Sequence, residues 1–396
     1  MAHRTRLDSL PQELTLMIFS NLDIHSFRAL ANTSPVFRSI SIRHHATITH
    51  RITQNALGDL MPFAIAVYAA SRADWKAQWP LPGYDELKGN ILQFGEQYLI
   101  RTQEASAIRL PDFTFSMALE MINFHSIIEE WTSAYLEWSM DQASQNDIQR
   151  SPFTATEIKR VQLTLYAMEI SRELLPFDII HGDIVEILWD MFWHYFSPWE
   201  NQLAWDIDDF LRDTIRKAYL PPGFTQQLAD AAEWLVTRWL SKFGLRSLSI
   251  LGDLPTLITS FDDLEDDLDL RDLPFRPARY CATDFTGCTW LRPVGGDVMI
   301  RSFDIAHVLA RFPEEERGPC NTWLFQIASE VLPEDLNRLP AKYSTAWWDL
   351  TRVHAAFPDT VPGIDELQVM AQNEEYESGA YTFTTDPDYC RETGYY

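Results

Sequence analysis

Apolar residues near the start of the chain recur three and four positions apart, which is the spacing of one helical face. Two helix-start signals interrupt them, Asp23 and the pair Ser34-Pro35. The pattern therefore predicts three short helices, joined by tight connections and ending near Arg43. Their apolar positions are Leu10, Leu14, Met17, Ile18 and Leu22 on one stripe, then Phe27 and Leu30, then Val36, Phe37, Ile40 and Ile42 facing inward.

The first helix carries its own start signal. Ser9 and Gln12 have the spacing of a capping box, in which each side chain bonds to the backbone N–H of the other residue. Pro11 is tolerated in a first helical turn, where its missing N–H costs nothing. We therefore expect Ser9 to cap this helix.

The helical pattern continues along most of the chain. It is clearest in ILQFGEQYLIRTQEASAI, FTFSMALEMINFHSIIEEWTSAYLEW, TEIKRVQLTLYAMEISRELL and QQLADAAEWLVTRWLSKF. One segment, GCTWLRPVGGDVMIRSF, has the Gly-Gly pair between short apolar runs that is typical of a β-hairpin. We predict a mainly α fold. It comprises a three-helix module over residues 7–50, a large all-α, aromatic-rich domain over residues 55–372 with at most a small hairpin, and an acidic, loose tail over residues 373–396.

The balance of acidic and basic residues indicates which classes of partner the protein can bind. Of 396 residues, 57 are acidic and 32 are basic, which gives a formal net charge of −25. A surface this acidic repels phosphate backbones and anionic lipid, so we expect no nucleic acid and no membrane as partner. The longest basic cluster, Arg43-His44-His45, is too weak to change that expectation.

Cysteine usage and hydropathy bear on the compartment. Four cysteines, Cys281, Cys288, Cys320 and Cys390, are scattered late in the chain, which favours a reducing compartment over a disulfide framework. The longest uncharged apolar run, residues 63–70, is far shorter than the roughly 20 residues that span a bilayer. We expect an intracellular protein, in the cytoplasm or the nucleus.

The opening helices resemble the F-box, the module by which substrate receptors dock onto the Skp adaptor of SCF ubiquitin ligases. The matching residues, within about residues 7–50, are Leu10-Pro11, Glu13-Leu14, Ile18-Phe19, Leu22, Leu30, Ser34, Val36, Phe37 and Arg38. The stretch LPQELTLMIFSNLD…ALANTSPVFR is close to the form seen in filamentous-fungal members of that family. Many F-boxes carry Trp where this chain has Phe37, a departure that keeps an aromatic side chain.

The resemblance implies a non-catalytic adaptor without a cofactor. The module would bind the Skp adaptor and hence the cullin scaffold, while the helical domain would recruit an unidentified protein for ubiquitination. The implied partner-binding residues are Leu10, Pro11, Glu13, Leu14, Ile18, Phe19, Leu22, Leu30, Val36 and Phe37. An adaptor-binding protein that acts outside any ligase would show the same residues.

A physical argument agrees with the resemblance. A three-helix segment this short cannot cover both of its apolar faces, so one face must meet another surface. That surface is either a foreign protein or the larger domain of the same chain. In the second case the three helices are simply the first layer of the domain core.

A different class of function rests on an acidic cluster. Asp262, Asp263 and Asp266 have the DDxxD spacing with which all-helical terpene and prenyl synthases hold Mg²⁺ through carboxylates. The second ligand helix of those enzymes has no match downstream, so a solvated acidic segment is the simpler interpretation. The alternative function is a helical Mg²⁺-dependent enzyme or a small-ligand-binding protein.

Overall fold

The described part of the protein is helical. The computed structural model describes residues 10–72, 75, 83–99, 113–144, 151–175, 198–219, 244–246 and 347–356, with residues 188, 192–193, 195–196 and 319. All regular elements in these ranges are helices, which confirms the predicted mainly α fold. The predicted hairpin, the predicted helical segment 226–243, the acidic cluster, the four cysteines and the tail lie outside the described residues.

The helices follow the sequence pattern closely. They are α1 (Gln12–Ser20), α2 (Ile24–Ala31), α3 (Pro35–Arg43), α4 (His45–Leu57), α5 (Met61–Ala70), α6 (Tyr84–Phe94), α7 (Phe115–Ser144), α8 (Ala155–Leu174), α9 (Pro198–Tyr219) and α10 (Leu350–Ala356). A 3-10 turn, Gly58–Leu60, precedes α5, and a π-helical turn, Gly95–Leu99, follows α6. The first three helices are those that the sequence predicted.

Two of the three predicted helix starts are confirmed. The Asp23 carboxylate accepts hydrogen bonds from the N–H groups of His25 and Ser26, and the Ser34 hydroxyl accepts one from the N–H of Phe37. Helix α1 begins at Gln12, with Pro11 as an N-cap that makes no side-chain bond. Ser9 lies outside the described residues, so the predicted capping box stays a prediction.

The described residues belong to two compact units. The first lies within Met1–Trp131, Tyr166–Val185 and Arg238–Asp267, and the second within Thr132–Leu165, Glu186–Thr237 and Leu268–Tyr396. In the first unit, α4 follows α3 after a single residue and packs on α1, α2 and α3. The predicted module boundary between residues 50 and 55 therefore falls inside a helix, and no linker separates the first three helices from α4.

Helix α5 lies in the interior of the first unit. Its sequence, MPFAIAVYAA, is apolar all round, and almost every side chain of it is buried. Such a helix is stable in water only when protein surrounds it. Ile48 and Ile52 of α4 and Met121 and Phe124 of α7 are buried in the same unit.

The second unit is held together by aromatic packing and by a buried side-chain hydrogen bond. Phe210 of α9 packs edge-on against Tyr135 of α7, with ring centroids 5.6 Å apart. Trp347 donates a hydrogen bond from Nε1 to the hydroxyl of Ser139 over 3.1 Å. These contacts place large aromatic side chains in the interior of the second unit.

Candidate protein-docking surface

Helix α1 carries apolar side chains on two opposite faces. Phe19 is wholly buried on the face that meets α3 and α4. The opposite side exposes Pro11, Leu14, Met17 and Ile18. Because residues three and four positions apart share a helical face, these four side chains form one continuous strip, which we call the α1 face.

The exposure of the α1 face is unusual for side chains of this size. Leu14 is 46% exposed, Met17 is 56% exposed and Ile18 is 36% exposed. Single exposed apolar residues are common on proteins, whereas contiguous ones mark sites of contact with another molecule. In the described part of the chain, no later helix covers this strip.

Aromatic packing behind the α1 face fixes the orientation of the helix. The Phe19 ring meets Phe27 of α2 edge-on at 5.3 Å and Phe37 of α3 edge-on at 5.6 Å, between ring centroids. Such pairs contribute about 0.5–1.5 kcal/mol each beyond the area that they bury. Rotating α1 to bury Leu14 instead would lose both contacts.

Two polar contacts attach the ends of α1 to the start and the last turn of α4. The Gln12 side-chain amide lies 2.7 Å from Nε2 of His44, the residue that joins α3 to α4. At the other end, the Asn55 amide donates a hydrogen bond to the backbone carbonyl of Ser20 over 2.9 Å. The helix is therefore held at both termini, with the α1 face directed away from α4.

The structure exposes half of the ten predicted partner-binding residues. Exposed are Pro11, Glu13, Leu14, Ile18 and Val36, while Leu10, Leu22 and Leu30 are half-buried. Pro11, Leu14 and Ile18 lie together on one strip of α1, whereas Val36 lies on α3. The predicted ridge is thus largely accessible on α1.

Two of the predicted contact residues are not accessible. Phe19 is 0% exposed and Phe37 is 5% exposed, because both fill the space where α1, α2 and α3 converge. They belong to the core of the module and are not available for direct contact with a partner. Their role is to support the α1 face from behind.

Helix α3 also differs from the prediction. Val36 and Ile42 were expected to face inward, but they are 47% and 69% exposed. Phe37 and Ser41, one turn apart, take the inward positions of this short helix. The small hydroxyl of Ser41 allows close packing there, and it donates a hydrogen bond to the carbonyl of Arg38. Val36 and Ile42 lie to either side of this inward row.

Met17 is missing from the predicted contact set, although it is more exposed than Leu14 and Ile18. Its helical spacing to Leu14 and Ile18 was visible in the sequence, but the family resemblance did not single it out. A flexible thioether at this place suits a contact surface, because Met adapts its shape to a partner.

The N-cap residue of α2, Asp23, carries a negative charge. The hydroxyl and the N–H of Ser26, with the N–H of His25, bond the Asp23 carboxylate and hold its pKa below the ordinary value. Asp23 therefore stays ionised in neutral solution, beside the positive end of the α2 dipole.

The alternative function predicted from the sequence requires a metal site. They include no group of three His, Cys, Asp or Glu side chains placed to hold a metal ion. Asp262, Asp263 and Asp266 lie outside the described residues, so the predicted Mg²⁺ cluster stays a prediction. Among the described helices, none combines the length and the apolar character needed to cross a membrane.

Comparison with known proteins adds no relative. No protein-family model matches the chain, and neither the curated proteins nor the solved structures contain a match.

Proposed function

We propose that this protein is a non-catalytic substrate receptor of an SCF-type ubiquitin ligase, which docks on the Skp adaptor through the α1 face. The Skp adaptor would connect it to the cullin scaffold, and residues beyond the module would bind the protein to be ubiquitinated. The observation that carries the proposal is the exposed strip Pro11, Leu14, Met17 and Ile18, in which Pro11, Leu14 and Ile18 are positions that resemble the F-box.

The energetics of the strip support a docking role. Fully burying one Leu, Ile or Met side chain in a partner contributes about 1.5–3 kcal/mol. Three such side chains lie next to each other on a helix whose core and ends are fixed by Phe19, Gln12 and Asn55. A rigid apolar ridge of this kind fits a groove in a partner, with little ordering entropy to lose on binding.

The test is binding of a purified fungal Skp adaptor to the full chain, measured by titration calorimetry. Leu14→Ser should weaken binding by about 1–2 kcal/mol, which is roughly tenfold, since it removes one apolar contact at the centre of the ridge. The double variant Leu14→Ser/Ile18→Ser should weaken binding by about 2–4 kcal/mol.

Leu92→Ser is the matched control. Leu92 lies on α6 and is 40% exposed, close to the 46% of Leu14, so the substitution has a similar effect on surface polarity. It should leave adaptor binding unchanged. Unchanged binding by the Leu14→Ser/Ile18→Ser variant, or no binding by the wild-type chain, would refute docking through this face. Co-purification of cullin with the complex would then distinguish a ligase subunit from an adaptor-binding protein of another kind.

A further inference from the structure

The local charge of helices α2 to α4 is opposite in sign to the net charge of the whole chain. Between Asp23 and Asp59 the sequence has no acidic residue at all, although 57 of the 396 residues are acidic. The same stretch carries Arg28, Arg38, Arg43 and Arg51. It covers helices α2, α3 and α4. These helices therefore form a locally cationic region in a protein of net charge −25.

Two of these arginines border a groove in the first unit. The groove lies between α2, α3, the start of α4 and the first turns of α7. Its lining includes the apolar side chains of Phe27, Ile42, Phe115 and Leu119, which we call the floor, and the exposed side chains of Arg28 and Arg38. Its volume of about 660 Å³ accommodates several side chains of a docked segment. None of its lining residues belongs to α1.

The arginines at the groove are not neutralised. The Arg28 guanidinium lies 5.9 Å from the ring centroid of Phe115, and Arg38 donates a hydrogen bond to the side-chain carbonyl of Asn32 over 3.2 Å. Within the part of the chain that the structure describes, neither arginine forms an ion pair with a carboxylate. Both side chains are exposed, so their charges face solvent at the edges of an apolar floor.

The most exposed apolar side chain of the region lies in the same groove. Ile42 is 69% exposed, with Arg38 one turn before it on α3. A ligand that covers Ile42 and Phe115 brings its own polar groups next to Arg28 and Arg38. Carboxylates at those positions would gain charge-assisted hydrogen bonds, whereas cationic or neutral groups would not.

We propose that this groove binds an acidic segment of another protein, in which Asp or Glu residues alternate with apolar residues at helical spacing. The apolar side chains lie on Ile42, Phe115 and Leu119, and the carboxylates pair with Arg28 and Arg38. Nucleic acid also pairs with arginine, but it offers no aliphatic side chain for the floor, and the rest of the chain repels it. The site is separate from the α1 face, so it serves a second partner.

The experiment uses the full chain and a fluorescein-labelled synthetic peptide of repeated Glu-Glu-Leu-Glu-Glu-Leu-Leu units, which places the leucines three and four positions apart on one helical face. Binding is followed by fluorescence polarisation. Arg28→Gln and Arg38→Gln should each weaken binding about threefold, because each removes one partly exposed ion pair. Ile42→Ser should weaken binding several-fold through the lost apolar contact. A peptide with Gln in place of every Glu should bind at least tenfold more weakly.

Arg51→Gln is the charge-matched control, since Arg51 is exposed on α4 and does not line the groove. It should leave peptide affinity nearly unchanged, and so should Leu14→Ser/Ile18→Ser on the α1 face. This second control separates the groove from adaptor docking, because either site can fail its test without the other. All the substituted residues are exposed or half-buried at most, so circular dichroism should show an unchanged helical signal.

Three results would overturn the proposal. The first is no binding of the acidic peptide by the wild-type chain. The second is an equal loss of affinity in Arg38→Gln and Arg51→Gln, which would indicate general charge attraction without a site. The third is tighter, Arg38-dependent binding of a single-stranded oligonucleotide in competition with the peptide, which would identify the groove as a nucleic-acid site.

Discussion

The guanidinium group of Arg352 donates two parallel hydrogen bonds to the carboxylate of Glu157, from Nε to Oε1 and from Nη2 to Oε2, each 2.7 Å long. The Glu157 side chain is 0% exposed and that of Arg352 is 6% exposed. The remaining donors of Arg352 bond to Ser151 and to the carbonyl of Pro152. We call this pair of hydrogen bonds between Arg352 and Glu157 the fork. Because a buried charge pair is tolerated only when its hydrogen bonds are satisfied, the fork joins α10 firmly to the start of α8.

We expect Arg352→Met to be strongly destabilising. It leaves the Glu157 carboxylate buried without a counter-charge, which costs about 3–5 kcal/mol of unfolding free energy. Urea unfolding followed by circular dichroism measures the loss. Arg51→Met, at an exposed arginine, should change the unfolding free energy by less than about 0.5 kcal/mol. Equal effects of the two substitutions would contradict the structural role of the fork.

The ionisation of Asp349 makes the stability of the second unit depend on pH. Burial raises the pKa of its carboxyl group, but hydrogen bonds from Thr154, Arg160 and Thr156 outweigh burial and hold the pKa below the ordinary value of 3.8. Because the folded pKa lies below the unfolded pKa, the ionised carboxylate stabilises the fold above about pH 4. This contribution is lost as the pH falls through the folded pKa.

The corresponding variant is Asp349→Asn. It should be less stable than the wild-type chain at neutral pH, and its unfolding free energy should decline less steeply below about pH 4. Urea midpoints measured from neutral to acidic pH test this expectation. Parallel curves for the two proteins would show that Asp349 does not carry the acid dependence.

Gly244 and Gly89 predict opposite effects of the same substitution. Gly244 has a φ of +65°, and a Cβ there would meet Arg172 Nε and lie 2.7 Å from both carboxylate oxygens of Glu169. Gly244→Ala should therefore cost at least about 1–2 kcal/mol, from left-handed backbone and displaced ion-pair partners. Gly89 lies inside α6 with open space around it, so Gly89→Ala should add about 0.5–1 kcal/mol. Thermal unfolding should show a lower melting temperature for Gly244→Ala and a higher one for Gly89→Ala.

Phe19 and Leu14 should separate folding from docking. Phe19→Ala removes a wholly buried ring between Phe27 and Phe37 and should cost about 3–5 kcal/mol of unfolding free energy. Leu14→Ser changes a side chain that is almost half exposed, so stability should change by less than about 1 kcal/mol while adaptor binding weakens. Hydrogen exchange of the α1 amides reports the first effect and calorimetry the second. Equal destabilisation by both would mean that Leu14 is part of the core.

The existence of the helices was predictable from the sequence because spacing and caps are local signals. Asp23, Ser34 and Pro35 mark the starts of α2 and α3 as predicted, and the long periodic segments became α7 and α8. The start of α1 was not predictable in the same way. The Gln12 side chain contacts His44, which is distant in sequence. Capping signals involve only neighbouring residues, so they do not predict such a contact.

Which apolar face turns inward was harder to predict. In α3, Val36, Phe37 and Ile42 are all apolar, and only packing against α1 decides that Phe37 is inside. The cationic groove was overlooked for another reason. Net charge averages over the whole chain, whereas the informative signal was the missing carboxylates between Asp23 and Asp59. Local charge counts would have found that region.

The direct passage from α3 through His44 into α4 has a mechanical consequence. The α1 face and the arginine-bordered groove are both built on helices of the first unit, with no flexible spacer inside the three-helix segment. Two ligands bound at these sites would therefore be held at a fixed distance and a fixed angle to each other. An insertion at His44 would disturb this arrangement, because it would separate Ile42 from His45 and Thr49 in the lining of the groove and would displace the His44 ring that contacts Gln12 of α1.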